Sequence, residues 1–451
     1  MAAGRGTRMR SALPKVLHPV CGRSMLDWVI EAARAAEADP ILVVSRPGDG
    51  VAETLADDVI SVEQVAGEGT GAAVLAARDR IDENDTVVTL SGDHPLISPE
   101  LIVELVATHA QSGAAATLLT TDQLDPTGYG RVVRDADGGF ERIVETKETE
   151  GLPGELLALR EINIGCYAFG AGPLFSALET IAEDDGERYL TKVFPAIAAG
   201  GLGVEMLNTT DVSSALGVNT RLGLAEVERI ARRRIVERHA LAGVYFALPE
   251  SVVIDADVTI GPDAEIGAGV LLTGTCEVGP GARIGPQTSI VDSFVGEGAT
   301  ILHSHVVQSR VEAGATVGPF SYLRPGAEIG AAAKAGTFVE IKNSKLGAGA
   351  KVPHLSYIGD ADIGAGANVG AGAITANYDG FAKHRTMIGE RTRTGVHTSF
   401  VAPVNVGSDA YTGAGSVITE DVPDGALGIS RPEQRNIEGY TKRIDKERAG
   451  E

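Results

Sequence analysis

The chain contains 451 residues, which predicts two or three domains rather than one core. Aromatic residues make up only 4% of it while glycine occurs 57 times, and this bias favours a repetitive, glycine-punctuated architecture. The formal net charge of −22 argues against nucleic acid as a partner, since proteins that bind it carry a basic surface. Three widely separated cysteines fit a reducing compartment, and no apolar run has the length of a membrane helix, so we predict a cytoplasmic protein with no membrane partner.

The first half of the chain alternates strand-like and helix-like segments. Residues 40–44 (PILVV) and 86–90 (TVVTL) are predicted to be buried parallel strands, whereas 25–36 and 101–109 have the pattern of amphipathic helices. This alternation predicts an open, Rossmann-like α/β sheet with helices on its faces. Ligands bind such sheets at the carboxyl ends of the strands, so we expect a first site there.

A long charged helix is predicted over residues 220–242, with apolar residues at helical spacing on one face. We interpret this helix as a connector between two domains. The charge-rich end of the chain is predicted to be disordered. The predicted bounds are 1–219 for the first domain, 220–250 for the linker, 251–432 for the second domain and 433–451 for the tail.

After residue 252 the hydrophobic period becomes six residues. A helix would have a period of 3.6 and an alternating strand a period of 2, so the repeat predicts a parallel β-helix in which each unit forms one flat face. Stacking of the coils buries the column of repeated side chains. The repeat alone does not distinguish an enzyme from a scaffold or a trimerisation device. The repeated positions are Ile260, Ile266, Leu272, Val278, Ile284, Ile290, Val311, Val317, Leu323, Ile329, Ile388, Thr394, Phe400, Val406, Thr412 and Ile418.

A glycine-rich segment opens the chain. Residues 2–9 read AAGRGTRM, and Lys15 follows shortly after. Backbone N–H groups in such a turn can approach phosphate oxygens, and Arg8 and Lys15 add the positive charge that a triphosphate needs. Asp93 follows the predicted strand 86–90, where a Mg²⁺ ligand is expected.

These segments resemble the signature of the sugar-phosphate nucleotidyltransferases, and further motifs follow at that family's spacing. The resemblance implies that the phosphate of a sugar phosphate attacks the α-phosphorus of UTP and that pyrophosphate leaves, without a covalent enzyme intermediate. The implied UTP contacts are Ala2, Ala3, Gly4, Arg8, Lys15, Gln64, Gly69 and Thr70; the implied N-acetylglucosamine-phosphate contacts are Gly130, Glu145 (in VETKE), Asn163 and Asn219; and the implied Mg²⁺ ligands are Asp93 and Asn219.

Several strings inside the repeat region depart from plain hexapeptides. They are YLRPG at 322–326, VEIKN at 339–343, PHLSY at 353–357 and NYDG at 377–380. A repeat scaffold needs none of these polar groups, so they predict a second site, and the NYDG stretch predicts a loop that projects from the coil.

These strings resemble the acetyltransferase half of the bifunctional N-acetylglucosamine-1-phosphate uridyltransferases/glucosamine-1-phosphate N-acetyltransferases, and the resemblance covers essentially the whole chain. It implies a left-handed β-helix, a homotrimer, Mg²⁺ as cofactor, and UTP and acetyl-CoA as substrates of an enzyme that makes UDP-N-acetylglucosamine. His354 would be the general base for the amine, because imidazole exchanges a proton near neutral pH. The other implied residues are Arg324, Lys342, Tyr357 and Asn368 for glucosamine phosphate, Lys383 for the sugar pocket, and Ala371, Asn377, Tyr378, Ala414 and Arg431 for acetyl-CoA.

The sequence departs from the family pattern at three places. The family has a hydrophobic strand before the glycine-rich segment, so we expect the natural start of the protein to lie upstream of Met1. Val396 stands where the family has a serine that contacts acetyl-CoA. Lys192 stands where an aspartate is usual, which reverses a charge near the sugar-binding region. His94, beside the implied metal ligand, is interpreted as a spectator.

Three alternatives remain open at the level of sequence. The first is a nucleotidyltransferase with one activity, whose β-helix serves only assembly or regulation. The second is a trimeric scaffold without catalysis. The third is a β-helix metal enzyme, which would need several histidines to converge on one ion. The available histidines are His303, His305, His354, His384 and His397.

Overall fold

The computed structural model describes residues 1–4, 6–145, 154–184 and 186–450. Arg5 of the glycine-rich segment and residues 146–148 of the VETKE string lie outside this part of the chain. The chain divides into two compact units, Met1–Arg234 and Ile235–Glu451. Among the described residues, none of the helices combines the length and the apolar character that crossing a membrane requires.

Helices occur mainly in the first unit. Short 3₁₀ turns lie at Thr7–Met9, Lys15–Leu17, Ala52–Thr54, Arg78–Arg80, Leu190–Lys192 and Pro249–Ser251. The α-helices are α1 (Met25–Ala35), α2 (Thr70–Ala76), α3 (Pro99–Ser112), α4 (Gly154–Leu157), α5 (Ala171–Thr180), α6 (Val193–Ala199), α7 (Arg221–Leu241) and α8 (Tyr440–Ala449).

The first unit is an α/β sheet covered by helices. Its strands are β1 (Pro19–Val20), β2 (Arg23–Ser24), β3 (Ile41–Ser45), β4 (Val59–Glu63), β5 (Thr86–Thr89), β6 (Ala116–Thr121), β7 (Arg131–Arg134), β8 (Phe140–Val144), β9 (Ile162–Gly170) and β10 (Val204–Asn208). The main sheet has the order β10-β6-β9-β7-β8, with β5 also paired to β9, while β3 and β4 form a separate parallel pair.

Helices cover both faces of the main sheet. Leu118 packs into a core with α2, α5 and α6, whereas its neighbour Leu119 packs into a core with α1 and α3. Successive residues of a strand point to opposite faces, so these two cores lie on opposite sides of β6. The predicted strands 40–44 and 86–90 and the predicted helices 25–36 and 101–109 are present as β3, β5, α1 and α3. Strand β3 is parallel to its partner β4, as predicted, but the prediction of a parallel strand is wrong for β5, which pairs antiparallel with β9.

The capping residues fix where these helices begin and end. The Ser24 hydroxyl accepts a hydrogen bond from the Asp27 N–H at the start of α1, and Ser98 does the same for Leu101 at the start of α3. Such caps satisfy backbone N–H groups that have no partner within the helix. Helix α3 ends at Gly113, whose φ of 64° closes the last turn.

The second unit is a left-handed parallel β-helix of six-residue repeats with three faces. The first face stacks β11 (Tyr245–Phe246), β14 (Glu265–Ile266), β17 (Arg283–Ile284), β20 (Thr300–Ile301), β23 (Thr316–Val317), β26 (Lys334–Thr337) and β29 (Lys351–His354), with β36 (Tyr411–Thr412) and β38 (Leu427–Gly428) paired farther along.

The second and third faces stack in the same way. The second contains β12 (Val253–Ile254), β15 (Leu271–Thr273), β18 (Ser289–Val291), β21 (His305–Val307), β24 (Tyr322–Leu323), β27 (Glu340–Lys342), β30 (Tyr357–Gly359), β32 (Ile374–Ala376), β34 (Ser399–Val401) and β37 (Val417–Ile418). The third contains β13 (Thr259–Ile260), β16 (Glu277–Val278), β19 (Phe294–Val295), β22 (Arg310–Val311), β25 (Glu328–Ile329), β28 (Lys345–Leu346), β31 (Ala361–Ile363), β33 (Thr386–Ile388) and β35 (Val404–Val406).

The six-residue repeat determines this architecture. Every repeated position predicted from the sequence is buried, from Ile260 to Ile418. The NYDG string is a loop, as predicted, and exposes Tyr378 and Phe381. The prediction of a disordered tail is wrong for residues 440–449, which form α8, because this segment combines good helix formers with alternating charges. The assignment of α7 as a connector remains a prediction.

Two candidate active sites

A cavity of about 510 Å³ opens at the carboxyl ends of β3 and β5 in the first unit. Its walls combine the glycine-rich segment with residues that follow the two strands. This is the edge at which an α/β sheet binds its ligands. Eight of the residues predicted to bind UTP or Mg²⁺ line it: Ala2, Ala3, Gly4, Lys15, Gln64, Gly69, Thr70 and Asp93.

Lys15 lies between two side chains of this cavity whose oxygen atoms accept from its ammonium. Its ammonium forms an ion pair with the Asp93 carboxylate and donates a hydrogen bond of 3.2 Å to Asn219 Oδ1. Arg8, which does not line the cavity, donates to the same Asn219 oxygen at 2.9 Å. The Val218 N–H donates to the Asp93 carbonyl at 2.9 Å, which holds the segment before Asn219 against the end of β5.

Gly6 lets the glycine-rich segment close over Lys15. Its φ is 57°, in the left-handed region, and a Cβ at this position would lie 2.6 Å from the Lys15 Cβ. A residue with a side chain would therefore be strained and would collide with the chain that carries the ammonium.

Asp93 is held in its charged form by its neighbours. Burial raises the pKa of the carboxyl group, but the hydrogen bond and charge of His94, together with Lys15, outweigh this effect and hold the pKa well below its ordinary value. His94 Nδ1 lies 3.1 Å from Asp93 Oδ1. His94 thus contacts the predicted metal ligand directly.

The oxygens of Asp93 and Asn219 fit a Mg²⁺ ion that also binds a nucleotide. Both approach the single Lys15 ammonium, so they converge on one point and both are hard donors. Mg²⁺ commonly takes one or two protein carboxylates and completes its shell with phosphate oxygens and water. Among the described residues there is no cluster of three or more His, Cys, Asp or Glu side chains that could hold a metal ion.

The segment around Gln64 is rigidly tied to β3. The Gln64 N–H donates to the Ser45 carbonyl at 2.8 Å, and its buried side-chain amide donates to the Gly67 carbonyl at 3.1 Å. Because the amide is fixed, it presents one defined set of polar atoms to the cavity.

Arg46 lines the same cavity, although it was not predicted from the sequence as a site residue. Its Nε donates to the Ala3 carbonyl at 2.6 Å and its guanidinium pairs with Glu68. A signal was present, because Arg46 lies two residues after the predicted strand 40–44, much as Asp93 lies three residues after the predicted strand 86–90.

Gly130, Glu145 and Asn163 come together where β7, β8 and β9 meet. The Asn163 N–H donates to the Gly130 carbonyl at 2.9 Å, and a Cβ on Gly130 would lie 3.5 Å from Glu145 Oε2. The Glu145 carboxylate accepts a hydrogen bond of 2.8 Å from Thr191. Three residues predicted to bind the sugar are therefore neighbours, although they are far apart in sequence.

The positive charge of Lys192, at a position where the family has an aspartate, is paired with a nearby carboxylate. Its ammonium lies 2.9 Å from Asp184 Oδ2, so the charge is neutralised on the surface instead of facing the sugar residues unpaired. A side chain that is 39% exposed in such a pair contributes little to stability.

In the second unit, a cationic cluster surrounds Asp360 at the corner between the second and third faces. The Arg324 guanidinium pairs with Glu340 at 2.9 Å, and the Lys342 ammonium lies 3.6 Å from Asp360. Burial raises the pKa of Asp360, but hydrogen bonds from Asn343 and Asn377 and the charges of Lys342 and Lys383 lower it overall. Asp360 was not predicted from the sequence, where it reads as an ordinary turn residue.

Lys342 and Lys383 lie within hydrogen-bonding distance of each other. The pKa of Lys383 is lowered by a hydrogen bond from Lys342, which needs an uncharged Lys383 nitrogen as acceptor, and by the positive charge of Lys342, which repels a second ammonium group. An anion placed between them would relieve this repulsion. The pair therefore has the electrostatics of a phosphate-binding site.

Tyr357 reaches across the second face toward this cluster. A Cβ on Gly359 would lie 2.4 Å from the Tyr357 hydroxyl, so the absence of a side chain at 359 leaves room for the tyrosine. Arg324, Lys342, Tyr357, Asn377 and Lys383 are thus brought together around Asp360.

His354 lies at the other end of the second face, at the corner with the first. Its side chain is exposed and has no hydrogen-bond partner among the described residues. The N–H groups of Gly372, His397 and Gly415 donate to the carbonyls of His354, Ala371 and Val396 at 3.1, 2.8 and 2.8 Å. His354, Ala371, Val396 and Ala414 consequently form one column along this corner.

The column contains most of the residues predicted to bind acetyl-CoA. The Arg431 guanidinium donates to the Ala414 carbonyl at 2.9 Å, which extends it. Val396 lies between Ala371 and Ala414 and is 47% exposed.

Three residues that were predicted to bind substrates lie apart from this column within one chain: Asn377 and Tyr378, predicted for acetyl-CoA, and Asn368, predicted for glucosamine phosphate. Asn377 donates to Asp360 in the cationic cluster, and Tyr378 lies in the exposed loop with its hydroxyl on the Gly380 carbonyl at 2.6 Å. Asn368 pairs with Lys351 and Arg393 on the first face.

Comparisons with known proteins agree with both units. Residues 1–196 match the family described as MobA-like NTP transferase domain. Over nearly its full length the chain is similar to the bifunctional protein GlmU of Mycolicibacterium vanbaalenii, at 46% identity over 455 residues that cover 98% of this chain and 92% of that protein. The bifunctional protein GlmU of Streptomyces avermitilis is 45% identical over 452 residues, covering 98% and 93%. That of Mycobacterium tuberculosis is 44% identical over 455 residues, covering 98% and 91%.

Proposed function

The chain belongs to the GlmU family of bifunctional proteins, and from this premise we propose that it acetylates glucosamine-1-phosphate with acetyl-CoA and then converts the product to UDP-N-acetylglucosamine with UTP. The observation that carries the proposal is the pair of separate charged sites, one in each unit. A nucleotidyltransferase with one activity is not favoured, because a β-helix used only for assembly would not need the cationic cluster around Asp360.

The first unit would perform the uridylyl transfer by positioning its substrates. A phosphate oxygen of the acetylated sugar forms a bond to the α-phosphorus of UTP while the bond to the pyrophosphate oxygen breaks. Lys15 and Arg8 neutralise phosphate charge, and the backbone of the glycine-rich segment approaches the phosphates. Gly130, Glu145 and Asn163 orient the sugar.

Mg²⁺ would be held by Asp93 and Asn219, and when bound it would supply charge neutralisation for the phosphates. Because Lys15 contacts both of these side chains, its ammonium would neutralise phosphate charge beside the metal site. The low pKa of Asp93 keeps its carboxylate charged throughout the neutral range.

The second unit would perform the acetyl transfer. The amine nitrogen of glucosamine-1-phosphate attacks the thioester carbonyl, the C–S bond breaks and CoA leaves as its thiolate, which then takes up a proton to become the free thiol. His354 takes the proton that the amine gives up, as its exposed and unpartnered imidazole allows. Arg324, Lys342 and Lys383 hold the phosphate, with Tyr357 and Asn377 beside the sugar. Asn368, which lies on the first face, would reach the sugar from a neighbouring subunit. Acetyl-CoA binds along the column from Ala371 to Arg431, and Tyr378, which lies apart from this column within one chain, would reach it from a neighbouring subunit.

The proposal includes a homotrimer, and an apolar stripe beside His354 supports it. This corner stripe consists of His303, Phe320, Phe338 and Leu355. The rings of Phe320 and Phe338 stack with centroids 5.4 Å apart, yet these two residues are 57% and 56% exposed and Leu355 is 62% exposed. A contiguous exposed stripe of this kind is typical of a protein interface. In addition, the cationic cluster and the His354 column lie at different corners, so neighbouring subunits can complete one site.

A cytoplasmic location also belongs to the proposal. Cys21, Cys166 and Cys276 are buried and form no disulfide bond among the described residues, which suits a reducing compartment.

The test is an assay in which purified protein receives glucosamine-1-phosphate, acetyl-CoA, UTP and Mg²⁺, while free thiol and pyrophosphate are followed separately. We expect both products, with pyrophosphate release dependent on prior acetylation and on Mg²⁺. Thiol without pyrophosphate would restrict the activity to the second unit. If neither thiol nor pyrophosphate forms, the result would support the alternative of a scaffold without catalysis.

A further inference from the structure

An arginine–carboxylate pair stands in the wall of the cavity of the first unit, and the sequence predicted no substrate contact for either residue. Arg46 directly follows β3, Glu68 directly precedes Gly69, and both line the cavity. One guanidinium nitrogen of Arg46 lies 3.3 Å from Glu68 Oε1, and the other contacts Oε2. The two side chains are 30% and 40% exposed, so they meet at the border between the protein and the cavity.

Arg46 also holds the glycine-rich segment. Its Nε donates to the Ala3 carbonyl at 2.6 Å, so one guanidinium contacts two separate stretches of the chain. The backbone N–H of Arg46 donates to Asp49 Oδ2 at 3.0 Å, which fixes the turn from which the side chain extends. A guanidinium presents its N–H groups in a rigid planar fork, which suits it to hold two acceptors at a fixed separation.

The stretch that contains Glu68 carries predicted UTP contacts on both sides, with Gln64 before it and Gly69 after it. The Glu68 carbonyl accepts a hydrogen bond of 2.8 Å from the Arg188 N–H, so the backbone at this position is held from one side. The Glu68 carboxylate is held by Arg46 from the other. Arg46 therefore helps to set the distance between the glycine-rich segment and the segment around Glu68.

The side chains of the cavity include more carboxylates than cations, although the proposed substrate is a polyanion. Among the described residues that line the cavity, the carboxylates are those of Glu68, Asp93 and Glu187, and the cations are those of Lys15 and Arg46. Lys15 is paired with Asp93, and Arg46 neutralises Glu68. A carboxylate in a partly buried wall repels a triphosphate when no cation lies beside it. Nucleotide binding should therefore depend on Arg46.

We propose that Arg46 is a positioning residue for the nucleoside triphosphate, and that it acts through Glu68 and Ala3. It neutralises the Glu68 carboxylate and holds the Ala3 carbonyl, so the two segments that line the cavity keep their separation and do not repel the phosphates. The inference rests on the proposed uridylyl transfer. It adds a requirement to that reaction, because the cavity binds UTP tightly only while Glu68 is neutralised.

The experiment is a double-mutant cycle in the full chain, with Arg46→Met, Glu68→Gln and the two changes together. Methionine keeps an unbranched side chain without the charge, and glutamine keeps the shape of glutamate without the charge. Isothermal titration calorimetry with Mg²⁺ measures the Kd of UTP. Pyrophosphate release measures kcat and the KM values of UTP and N-acetylglucosamine-1-phosphate.

We expect Arg46→Met to weaken UTP binding by about 5- to 20-fold, because a charged Glu68 then faces the cavity without this cation. Glu68→Gln alone should not weaken binding. The double variant should bind UTP more tightly than Arg46→Met, a recovery that a general loss of packing would not produce. The KM for UTP should follow the Kd, while kcat and the KM for the sugar phosphate should change by less than about twofold.

Arg34→Met is the matched control. Arg34 pairs with Asp58 and is 32% exposed, close to the value for Arg46, but it does not line the cavity. This variant should bind UTP as the unaltered protein does.

Two results would overturn the role of Arg46: UTP binding by Arg46→Met that equals that of the unaltered protein, and a double variant that binds no more tightly than Arg46→Met. Failure of the unaltered protein to bind UTP would instead overturn the proposed uridylyl transfer, and the role of Arg46 with it. The arm with unaltered protein thus separates the two failures.

Discussion

Single residues carry most of the chemistry proposed for the two transfer reactions, and their neighbours determine how they act. Lys15 is useful because Asp93 and Asn219 hold its ammonium at the mouth of the first cavity. Lys383 is useful because Lys342 lies beside it, so that both favour an anion. His354 differs from these, because it has no described partner and stays free to take a proton.

Replacement of His354 by alanine should lower the rate of thiol release by about 10²- to 10⁴-fold, the usual contribution of a general base. Pyrophosphate release from UTP and supplied N-acetylglucosamine-1-phosphate should not change, because that site lies in the other unit. Stopped assays of both products check this. His305→Ala, which removes another β-helix histidine, is the matched control, and near-normal thiol release by His354→Ala would remove His354 from the role of base.

Val396 lies in the middle of the column predicted to bind acetyl-CoA, where it offers no side-chain hydrogen bond. Val396→Ser should lower the KM for acetyl-CoA by about 2- to 10-fold, the value of one added hydrogen bond. Steady-state kinetics at saturating glucosamine-1-phosphate measure it. Val401→Ser makes the same change on an exposed position of the second face and should leave KM unaltered, and equal effects of the two variants would argue against the column.

At the scale of elements, helix α3 carries a buried titratable group into the core of the first unit. His109 is 6% exposed and its Nδ1 lies 3.0 Å from the Thr117 hydroxyl on β6. Burial lowers the pKa of His109, so the folded protein keeps the imidazole neutral to lower pH than the unfolded chain does.

The free energy of unfolding should therefore fall as pH is lowered below about 6.5, where the unfolded chain binds a proton that the folded chain does not. His109→Asn keeps a partner for Thr117 but does not titrate, so it should reduce this slope by up to about 1.4 kcal/mol per pH unit. Urea titrations between pH 8 and pH 5.5 measure the slope. The same slope in both proteins would show that the folded and unfolded states protonate His109 alike.

At the scale of the whole molecule, assembly and the second site are linked through the corner stripe. Phe320→Glu with Phe338→Glu places two charges in it and should convert trimers to monomers, because a buried unpaired charge is strongly unfavourable. Analytical ultracentrifugation measures the mass, and thiol release should fall with assembly while pyrophosphate release persists.

Leu271→Glu, on an exposed position away from the stripe, is the control for added charge. Trimers that persist in the double variant would move the interface to another face of the β-helix. Monomers that keep full thiol release would instead separate catalysis from assembly.

The sequence by itself determined the local and periodic features of this protein. The six-residue repeat predicted the β-helix because each buried position is set by its own unit and its neighbours in the stack. Strands β3 and β5 and helices α1 and α3 were predicted because their apolar patterns are continuous in sequence. The residues proposed for the two sites came from motifs and from resemblance to a family, and their roles stay predictions.

Only the tertiary structure decided which distant residues meet. Lys15 and Asn219 are 204 positions apart, and neither segment carries a signal that names the other. Asp360 reads as an ordinary turn residue in the sequence, and only the fold places it among charged partners. Such contacts are a property of neighbours in space, so they have no local pattern in the sequence.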